Sequence, residues 1–444
     1  MSISRKTLQV LTLGCSKNKV DTEHLLAQVQ NEYEIISEDH HGQVDFLLIN
    51  TCGFIGDAKE ESIQIILEAA ERKNRGEVNK LIVFGCLSQR YSHELPDLIP
   101  EVDAWFGVRD YNSLIKELGV NPRVDLRNQR YLTTPSHYAY LKISEGCDRR
   151  CSYCAIPFIR GPHKSIPMED LVQEATNLAE LGVKELIIIA QDTTFYGLDI
   201  YRRRALAELL QKLSEIEGIE WIRIHYSYPS DFPNDVLDLM ATNPKICKYM
   251  DIPLQHISDK VLSKMRRHVT GDQTRELISK MREKVPGVVL RTTMIVGHPG
   301  ENKEDFQELL DFVEEAKFER LGAFMYSEEE GTYGAKNFKD NLSPEKKQAR
   351  LDKLMTIQSK ISLDYNISRI GSEIKVIVDD YMDGILVCRS EYDSPEVDCE
   401  ILVKYSSEAF NAIEPYSLVG DFLLVKVTGA NEYDLIADFL DFYS

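Results

Sequence analysis

Three cysteines spread over the first ninety residues set the strongest limit on how this chain folds. Cys15 ends the run Leu8-Gln-Val-Leu-Thr-Leu13-Gly14, Cys52 ends Asp45-Phe-Leu-Leu-Ile-Asn-Thr51, and Cys86 ends Lys80-Leu-Ile-Val-Phe-Gly85. Each run is short, apolar and followed by a polar, helix-like stretch, the rhythm of a parallel α/β sheet. Such sheets bind ligands outside the carboxyl ends of their strands, the edge where all three cysteines fall. A glycine adjoins each one (Gly14, Gly53, Gly85), which permits tight turns and close backbone approach. Separations of 37 and 34 residues therefore allow three thiols to converge and hold a metal cluster. The competing reading is three unrelated buried cysteines, since free cysteine is among the most buried residue types. Helices are expected over Thr22–Gln30 and Ala58–Lys73, with a fourth strand near Val102–Phe106, giving a first α/β domain over residues 6–130.

A second triplet is compact: Cys147-Asp-Arg-Arg-Cys151-Ser-Tyr153-Cys154, directly after the strand-like run Tyr138-Ala-Tyr-Leu-Lys-Ile143. Three thiolates this close can reach one inorganic centre. Structural zinc wants four protein ligands. A cubane iron–sulfur cluster held by three cysteines keeps one iron open to a small molecule. The rival is a Cys3His zinc knuckle with His163 or His137 as fourth ligand, although cysteine-rich zinc sites usually come as paired CxxC half-sites.

Residues 131–342 alternate strand and helix. Strands are expected over 138–143, 185–190, 221–226, 249–252, 288–296 and 321–326, with helices such as Met168–Leu181 and Asp305–Ala316 between them. Six βα units fit a partial TIM-like barrel with the cysteine triplet at its catalytic edge. Ser343-Pro344-Glu345 is a helix start, and the basic stretch 343–371 reads as an exposed helical linker. Beyond it, residues 372–444 carry short β-type runs at Ile374–Val378, Ile385–Arg389, Ile401–Val403 and Phe422–Thr428, a small antiparallel barrel.

Composition narrows the class. No apolar run spans a bilayer, and the start lacks a signal-peptide core. Nine cysteines, six of them in two triplets, suit metal chemistry in a reducing cytoplasm rather than a disulfide framework. The net charge is −20, and residues 372–444 hold sixteen acids against four bases, a net of −12. Such a segment repels phosphate backbones and favours basic partners, or it serves only solubility.

The CxxxCxxC spacing with Tyr153 before the last cysteine resembles the signature of radical S-adenosylmethionine enzymes. The whole order of three-cysteine domain, barrel and TRAM-type β-barrel is similar to the methylthiotransferases. Within that family, several segments look like the RimO-type branch, which modifies an aspartate of ribosomal protein twelve of the small subunit. They are Leu13-Gly-Cys15-Ser-Lys-Asn18-Lys-Val-Asp21, Glu145-Gly-Cys147, Ala190-Gln-Asp192-Thr-Thr-Phe-Tyr-Gly197, Tyr326-Ser-Glu-Glu-Glu-Gly331-Thr and Arg389-Ser-Glu-Tyr-Asp-Ser-Pro-Glu-Val-Asp398. The tRNA-modifying branch more often shows methionine-asparagine after its first cysteine.

The resemblance implies an α/β multidomain fold: an N-terminal parallel α/β domain, a central (βα)6 radical-SAM barrel and a C-terminal TRAM-type barrel. It implies two [4Fe-4S] clusters, a radical-generating one on Cys147, Cys151 and Cys154 and an auxiliary one on Cys15, Cys52 and Cys86. Two S-adenosylmethionines per turnover would act, one as methyl donor and one as radical source. The product would be a methylthio group on the β-carbon of an aspartate. Tyr153 would pack near the adenine, Gln191 and Asp192 would contact the cofactor's amino group, and Thr293, Ile295, Gly297 and Glu301 would line the cofactor. Locally, Tyr153 also reads as packing beside the cluster and Asp192 as a helix cap. Partners implied are a basic ribosomal protein, a sulfur donor and a low-potential electron donor such as flavodoxin or ferredoxin, in the cytoplasm and without a membrane.

The acidic C-terminal barrel disfavours tRNA, Arg389 and Lys404 being the only basic candidates in its middle. The rivals are a tRNA adenosine methylthiotransferase, a metal-stabilised ribosome-binding adaptor without activity, and a radical enzyme whose N-terminal cysteines bind nothing. Cys247, Cys388 and Cys399 read as packing residues. No P-loop, dinucleotide fingerprint or hydrolase triad is present.

Overall fold

The amino-terminal apolar runs become strands of one parallel sheet in the computed structural model, which describes residues 5–410 and 412–443. They are β1 (Lys6–Thr12), β2 (Tyr33–Ile36), β3 (Val44–Thr51), β4 (Val78–Gly85) and β5 (Ala104–Gly107), in the order β2-β1-β3-β4-β5. β2 was not expected, because a four-residue edge strand inside a polar stretch has no alternation to read. Its presence matters. With β2 outside β1, the winding reverses between β1 and β3, and that switch point opens a crevice at the carboxyl ends. Helix α1 (Ser16–Val29) covers one face, through Leu25, Leu26 and Val29. Helix α2 (Gly56–Asn74) covers the other, through Ile66, Ala69 and Ala70.

The central domain is an open sheet of six parallel strands taken in chain order: β6 (Tyr138–Lys142), β9 (Glu185–Ile189), β10 (Trp221–Ile224), β11 (Ile246–Asp251), β12 (Val289–Val296) and β13 (Arg320–Met325). A short antiparallel ribbon, β7 (Ser144–Glu145) with β8 (Lys164–Ser165), brackets the cysteine loop. Period-two alternation sorts the side chains. Ala139, Leu141, Leu186, Ile188, Ile222 and Ile224 turn outward to the helices and form the main core. Tyr138, Tyr140, Ile187 and Ile189 turn to the concave side, where Val20 of α1 and Tyr226 meet them.

The expected helix forms over Pro344–Ser368, but it is laid against the sheet rather than exposed. Leu354 is fully buried in the main core, and Gln358 Nε2 donates to the Phe318 carbonyl at 2.9 Å. Its abundant lysines and arginines hid a narrow buried stripe of Lys347, Leu354, Gln358, Ser362 and Asn366.

The C-terminal strands β14 (Glu373–Met382), β15 (Ile385–Ser390), β16 (Glu400–Lys404), β17 (Phe422–Ala430) and β18 (Asp434–Phe442) close in the order β14-β15-β16-β18-β17. β18 was not foreseen, and it closes the barrel by pairing antiparallel with β17 and parallel with β16. Closure removes open sheet edges. The barrel docks on the concave face of the central sheet. There Ile377 and Phe422 pack with Trp221, Cys247, Tyr249 and Val289.

Buried charges lock the domains together. Arg130, in the bridge after the first domain, pairs with Glu23 of α1 through Nε at 3.0 Å and with Glu174 of the helix Met168–Glu180 at 2.7 Å. Burial favours the neutral form of Glu174, yet His24 and Arg130 together hold its carboxyl down at about 2, against 4.5 for a free one. A depressed carboxylate stabilises the fold above its unfolded pKa, and that contribution is lost as pH falls toward the folded value. Thermal unfolding followed from pH 4.5 down toward 2 should therefore show a steep loss of stability, which Glu174→Gln flattens because its side chain no longer titrates.

Candidate active site

Cys15, Cys52 and Cys86 stand at the carboxyl ends of the neighbouring strands β1, β3 and β4, beside the switch-point crevice. Cys15 caps α1, and Cys86 opens the helix Cys86–Arg90. Burial raises the Cys86 thiol to about 12; Arg160 pulls the other way, and Cys15 and Cys52 add to the rise. Cys52 is likewise raised, first by burial and then by Cys15. Cys15 therefore lies close enough to bear on the other two sulfurs. The glycines make this closeness possible. A Cβ on Gly14, at φ +87°, would lie 2.7 Å from Cys52 Cβ, and one on Gly53 would lie 2.8 Å from the backbone of Cys86 and Leu87.

Asn18, fully buried, ties the loops together. Its amide donates to the Leu13 carbonyl at 2.8 Å and the Thr51 carbonyl at 3.1 Å, and its Oδ1 accepts from Arg160 Nη2 at 2.6 Å. The Cys86 thiol is directed at the same oxygen, 3.8 Å away. Arg160 follows the second cysteine triplet in the chain, so this contact joins the two cysteine sets. Its guanidinium also pairs with Asp21 of α1 at 3.1 Å and with Glu145, just before Cys147, at 2.9 Å. Lys142 bridges the same two carboxylates. Burial opposes ionisation of Glu145, but Lys142 and Arg160 hold its carboxyl at about 2.

The loop Cys147–Cys154 lies beyond β6, between the ribbon strands β7 and β8. Burial pushes Cys147 up to about 12 and raises Cys154, with Cys151 adding to both. Arg267, itself buried, directs Nη1 to Cys151 Sγ at 3.6 Å and to the Tyr153 hydroxyl at 3.4 Å. Tyr228 is sandwiched between the guanidiniums of Arg149, 3.9 Å from its ring centre, and Arg267, 4.2 Å. Of the zinc-knuckle candidates, His163 bonds to Ser165 Oγ at 3.0 Å, while His137 precedes the far end of β6 and pairs with Asp379 at 2.7 Å. Among the described residues, no three side chains of His, Cys, Asp and Glu gather tightly enough to grip a single ion. A cubane does not ask for that, since each cysteine binds a different iron. Buried and half-buried thiols at glycine-lined turns, with a guanidinium beside each set to offset thiolate charge, are a donor set that fits iron–sulfur ligation.

The remaining expected positions divide. Asp192 is close enough to influence Cys147, but its carboxylate caps the turn Thr193–Phe195 and pairs with Arg149 at 2.9 Å. Gln191 Nε2 donates to Glu145 at 3.4 Å, and its Oε1 is buried without a partner. Thr293 and Ile295 are half-buried positions of β12 that alternate with buried Met294. Gly297, at φ +79°, donates its N–H to Glu301 at 2.7 Å. Glu301 is buried and paired with Arg350, so it fastens the long helix Pro344–Ser368. This segment reaches the cysteine loop through His298, 3.3 Å from Ser152 Oγ. Lys17 and Asn18 stand in the segment Leu13–Asp21 without a role read from the sequence, and Arg160 and Arg267 carry no sequence mark. Arg160 follows the triplet in an Ile-Arg-Gly step, but a lone arginine there carries no mark of burial.

Comparisons with known proteins agree with this architecture. The radical SAM superfamily model matches residues 141–313, the model of the uncharacterized protein family UPF0004 matches 7–107, and the TRAM domain model matches 370–440. A Phocaeicola vulgatus protein named ribosomal protein uS12 methylthiotransferase RimO is 50% identical over 439 residues, covering 99% of this chain and all of that one. The protein of that name from Porphyromonas gingivalis is 51% identical, covering 98% of this chain and all of its own. The chain belongs to the ribosomal protein uS12 methylthiotransferase RimO family. At the level of fold alone, it is similar to the radical S-adenosylmethionine methyltransferase TsrM from Kitasatospora setae. That match has a TM-score of 0.54 at 15% identity, over 71% of this chain and 72% of that one.

Gly146 gives a direct test of how the cysteine loop is built. It holds φ +72°, and a Cβ there would lie 2.1 Å from the Pro162 carbonyl oxygen. Left-handed backbone alone costs a non-glycine residue about 1–3 kcal/mol, and the clash adds to it. Gly146→Ala should lower the thermal midpoint and expose the Cys147 thiol of the metal-free protein to an aqueous thiol reagent, relative to wild type.

Proposed function

We propose that this chain inserts sulfur and a methyl group at the β-carbon of an aspartate in ribosomal protein uS12, by radical S-adenosylmethionine chemistry. The observation that carries the reading is Arg160, one buried side chain that touches the loop of Cys15 and belongs to the loop of Cys147. Two cysteine sets held to one guanidinium suit a reaction that needs two centres working on one carbon. Relatives of about half identity over the full length carry the uS12 methylthiotransferase name.

In this reading Cys147, Cys151 and Cys154 bind one [4Fe-4S] cluster and Cys15, Cys52 and Cys86 bind a second. Bound there, the clusters and S-adenosylmethionine supply the sulfur, the methyl group and a carbon radical able to take hydrogen from an unactivated C–H bond. The chain's own residues do the rest. Arg160 and Arg267 place positive charge against the two thiolate sets. Asn18, Asp21 and Glu145 fix Arg160. The C-terminal barrel covers the concave face where the central strands begin. Tyr153, Gln191, Asp192, Thr293, Ile295, Gly297 and Glu301 line the cofactor's side, Asp192 and Glu301 by shaping loops through their own ion pairs.

Charge favours a basic protein over tRNA as substrate. Of the four bases in residues 372–444, Arg389 is buried against Glu185 at 2.5 Å, and Lys375 is spent on Glu220 at 3.5 Å. A sulfur donor and a low-potential electron carrier such as flavodoxin or ferredoxin complete the cycle. No helix among the described residues is long and apolar enough to cross a membrane, and we place the reaction in the cytoplasm.

Anaerobic reconstitution tests the two-cluster reading. The wild type should bind about eight irons and the Cys15→Ala/Cys52→Ala/Cys86→Ala variant about four. About four in both would remove the second cluster and the sulfur-insertion step with it. Incubation with uS12 and with tRNA should then yield a methylthiolated aspartate and leave the tRNA unmodified; the reverse outcome would reassign the substrate.

A further inference from the structure

Most buried cations along the concave face are paired with carboxylates. Arg223 pairs with Glu185 at 2.8 Å, Arg291 with Asp251 at 3.1 Å, Arg320 with Asp393 at 2.7 Å, and Arg389 with Glu185 at 2.5 Å. At the domain junction, Lys142 and Arg160 share Asp21 and Glu145. Arg267 instead meets the Cys151 sulfur, the Tyr153 hydroxyl and the Pro253 carbonyl, and Lys17 departs further. It lies in the first turn of α1, two residues after Cys15, and only 6% of its surface is exposed. Its ammonium stands 2.9 Å from the centre of the Tyr226 ring, and among the described residues it has no hydrogen-bond acceptor and no carboxylate partner.

A cation on an aromatic face recovers only part of what burial removes from an ammonium. Tyr226 is itself held in place for this contact. Its backbone has φ +58°, and its N–H donates to Asp251 at 2.9 Å. Lys17 is thus pre-positioned as half of an ion pair for which no described residue supplies the anion.

We propose that Lys17 binds the side-chain carboxylate of the target aspartate and thereby positions its β-carbon. This rests on the function proposed above and names the residue that selects the substrate within it. The carboxylate carbon is bonded directly to the β-carbon. A cation that fixes the carboxylate therefore fixes the reacting atom one bond away, on the side of the cleft where Cys15 lies. The same cation sets aspartate apart from its neutral isostere asparagine.

The alternative anion is the carboxylate of S-adenosylmethionine, and the test separates the two sources. The reconstituted holoenzyme is titrated anaerobically, with S-adenosylmethionine present, against a fluorescent uS12 peptide containing the target aspartate and against its Asp→Asn counterpart. S-adenosylmethionine affinity is measured separately by equilibrium dialysis. Wild type should prefer the aspartate peptide. Lys17→Met should weaken that peptide about tenfold or more, to the level of the asparagine peptide. It should leave the asparagine peptide, iron content and S-adenosylmethionine affinity unchanged. Lys17→Arg should keep part of the preference. A wild type that binds both peptides equally overturns the proposal without recourse to any variant. So does Lys17→Met that keeps the aspartate preference but loses S-adenosylmethionine, which assigns the cation to the cofactor. A wild type that binds neither peptide sinks the uS12 reading itself.

Discussion

The buried guanidinium of Arg160 is the interaction on which the site's assembly depends. An unpaired charge inside a protein costs several kcal/mol, so Arg160 is tolerable only where its partners are already in place. Those partners come from two domains: Asn18 and Asp21 from the first, Glu145 from the barrel. Neither domain alone completes the set. The charge that makes burial expensive therefore also makes the docking geometry specific, because a displaced first domain would leave Arg160 and Lys142 without Asp21. The cysteines of both loops inherit that geometry, since Asn18 binds the loops after β1 and β3 and Glu145 lies two residues before Cys147.

The C-terminal barrel repeats this logic at the other side of the sheet. An open (βα)6 sheet leaves its concave face uncovered, and here the interior carries Glu185, Arg223, Tyr249, Arg291 and Arg320 rather than a closed apolar core. The loop after β15 supplies what those groups lack. Asp393 meets Arg320 at 2.7 Å, Ser394 meets His225 at 3.0 Å, and Asp398 accepts from Tyr249 at 2.6 Å. The long helix Pro344–Ser368 completes the enclosure, and its Asn366 donates to the Asn431 carbonyl at 2.9 Å. Part of the family-like segment Arg389–Asp398 is thus a plug for a polar interior. The segment Tyr326–Thr332 acts in kind, because Glu329 draws Lys59 and Arg90 of the first domain onto the barrel, each at 2.8 Å.

What the sequence made legible was local. Strand runs such as Asp45–Thr51 and Lys80–Gly85 are mainly apolar, and the cysteines at their ends needed only the α/β rhythm to be placed on one edge. What it hid was relational. β2 and β18 owe their existence to neighbours: one is a short edge strand in a polar stretch, and the other interleaves Asp434, Asp438 and Asp441 among its apolar residues. The helix Pro344–Ser368 looked exposed because a buried stripe within a basic helix averages to polar. Lys17, Arg160 and Arg389 are ordinary surface residues in composition. Only the fold reveals that each is buried, and that two of them are paired with carboxylates far away in the chain.

That inward turning of charge bears on partner choice. The bases of residues 372–444 would, if exposed, form the phosphate-binding surface that RNA recognition requires. Lys404 and Lys426 stay exposed, but Arg389 is consumed by Glu185 and Asp379, and Lys375 by Glu220 and the rings of Phe422 and Tyr443. Docking the barrel thus removes positive charge from its surface while most of its acids stay outside. Burial opposes ionisation of Asp379, yet Arg389 and His137 hold its carboxyl below the usual range, so the pairing persists at neutral pH. The interaction that holds the barrel on the sheet is therefore the one that leaves its outer face acidic, and a basic protein is the partner such a face attracts.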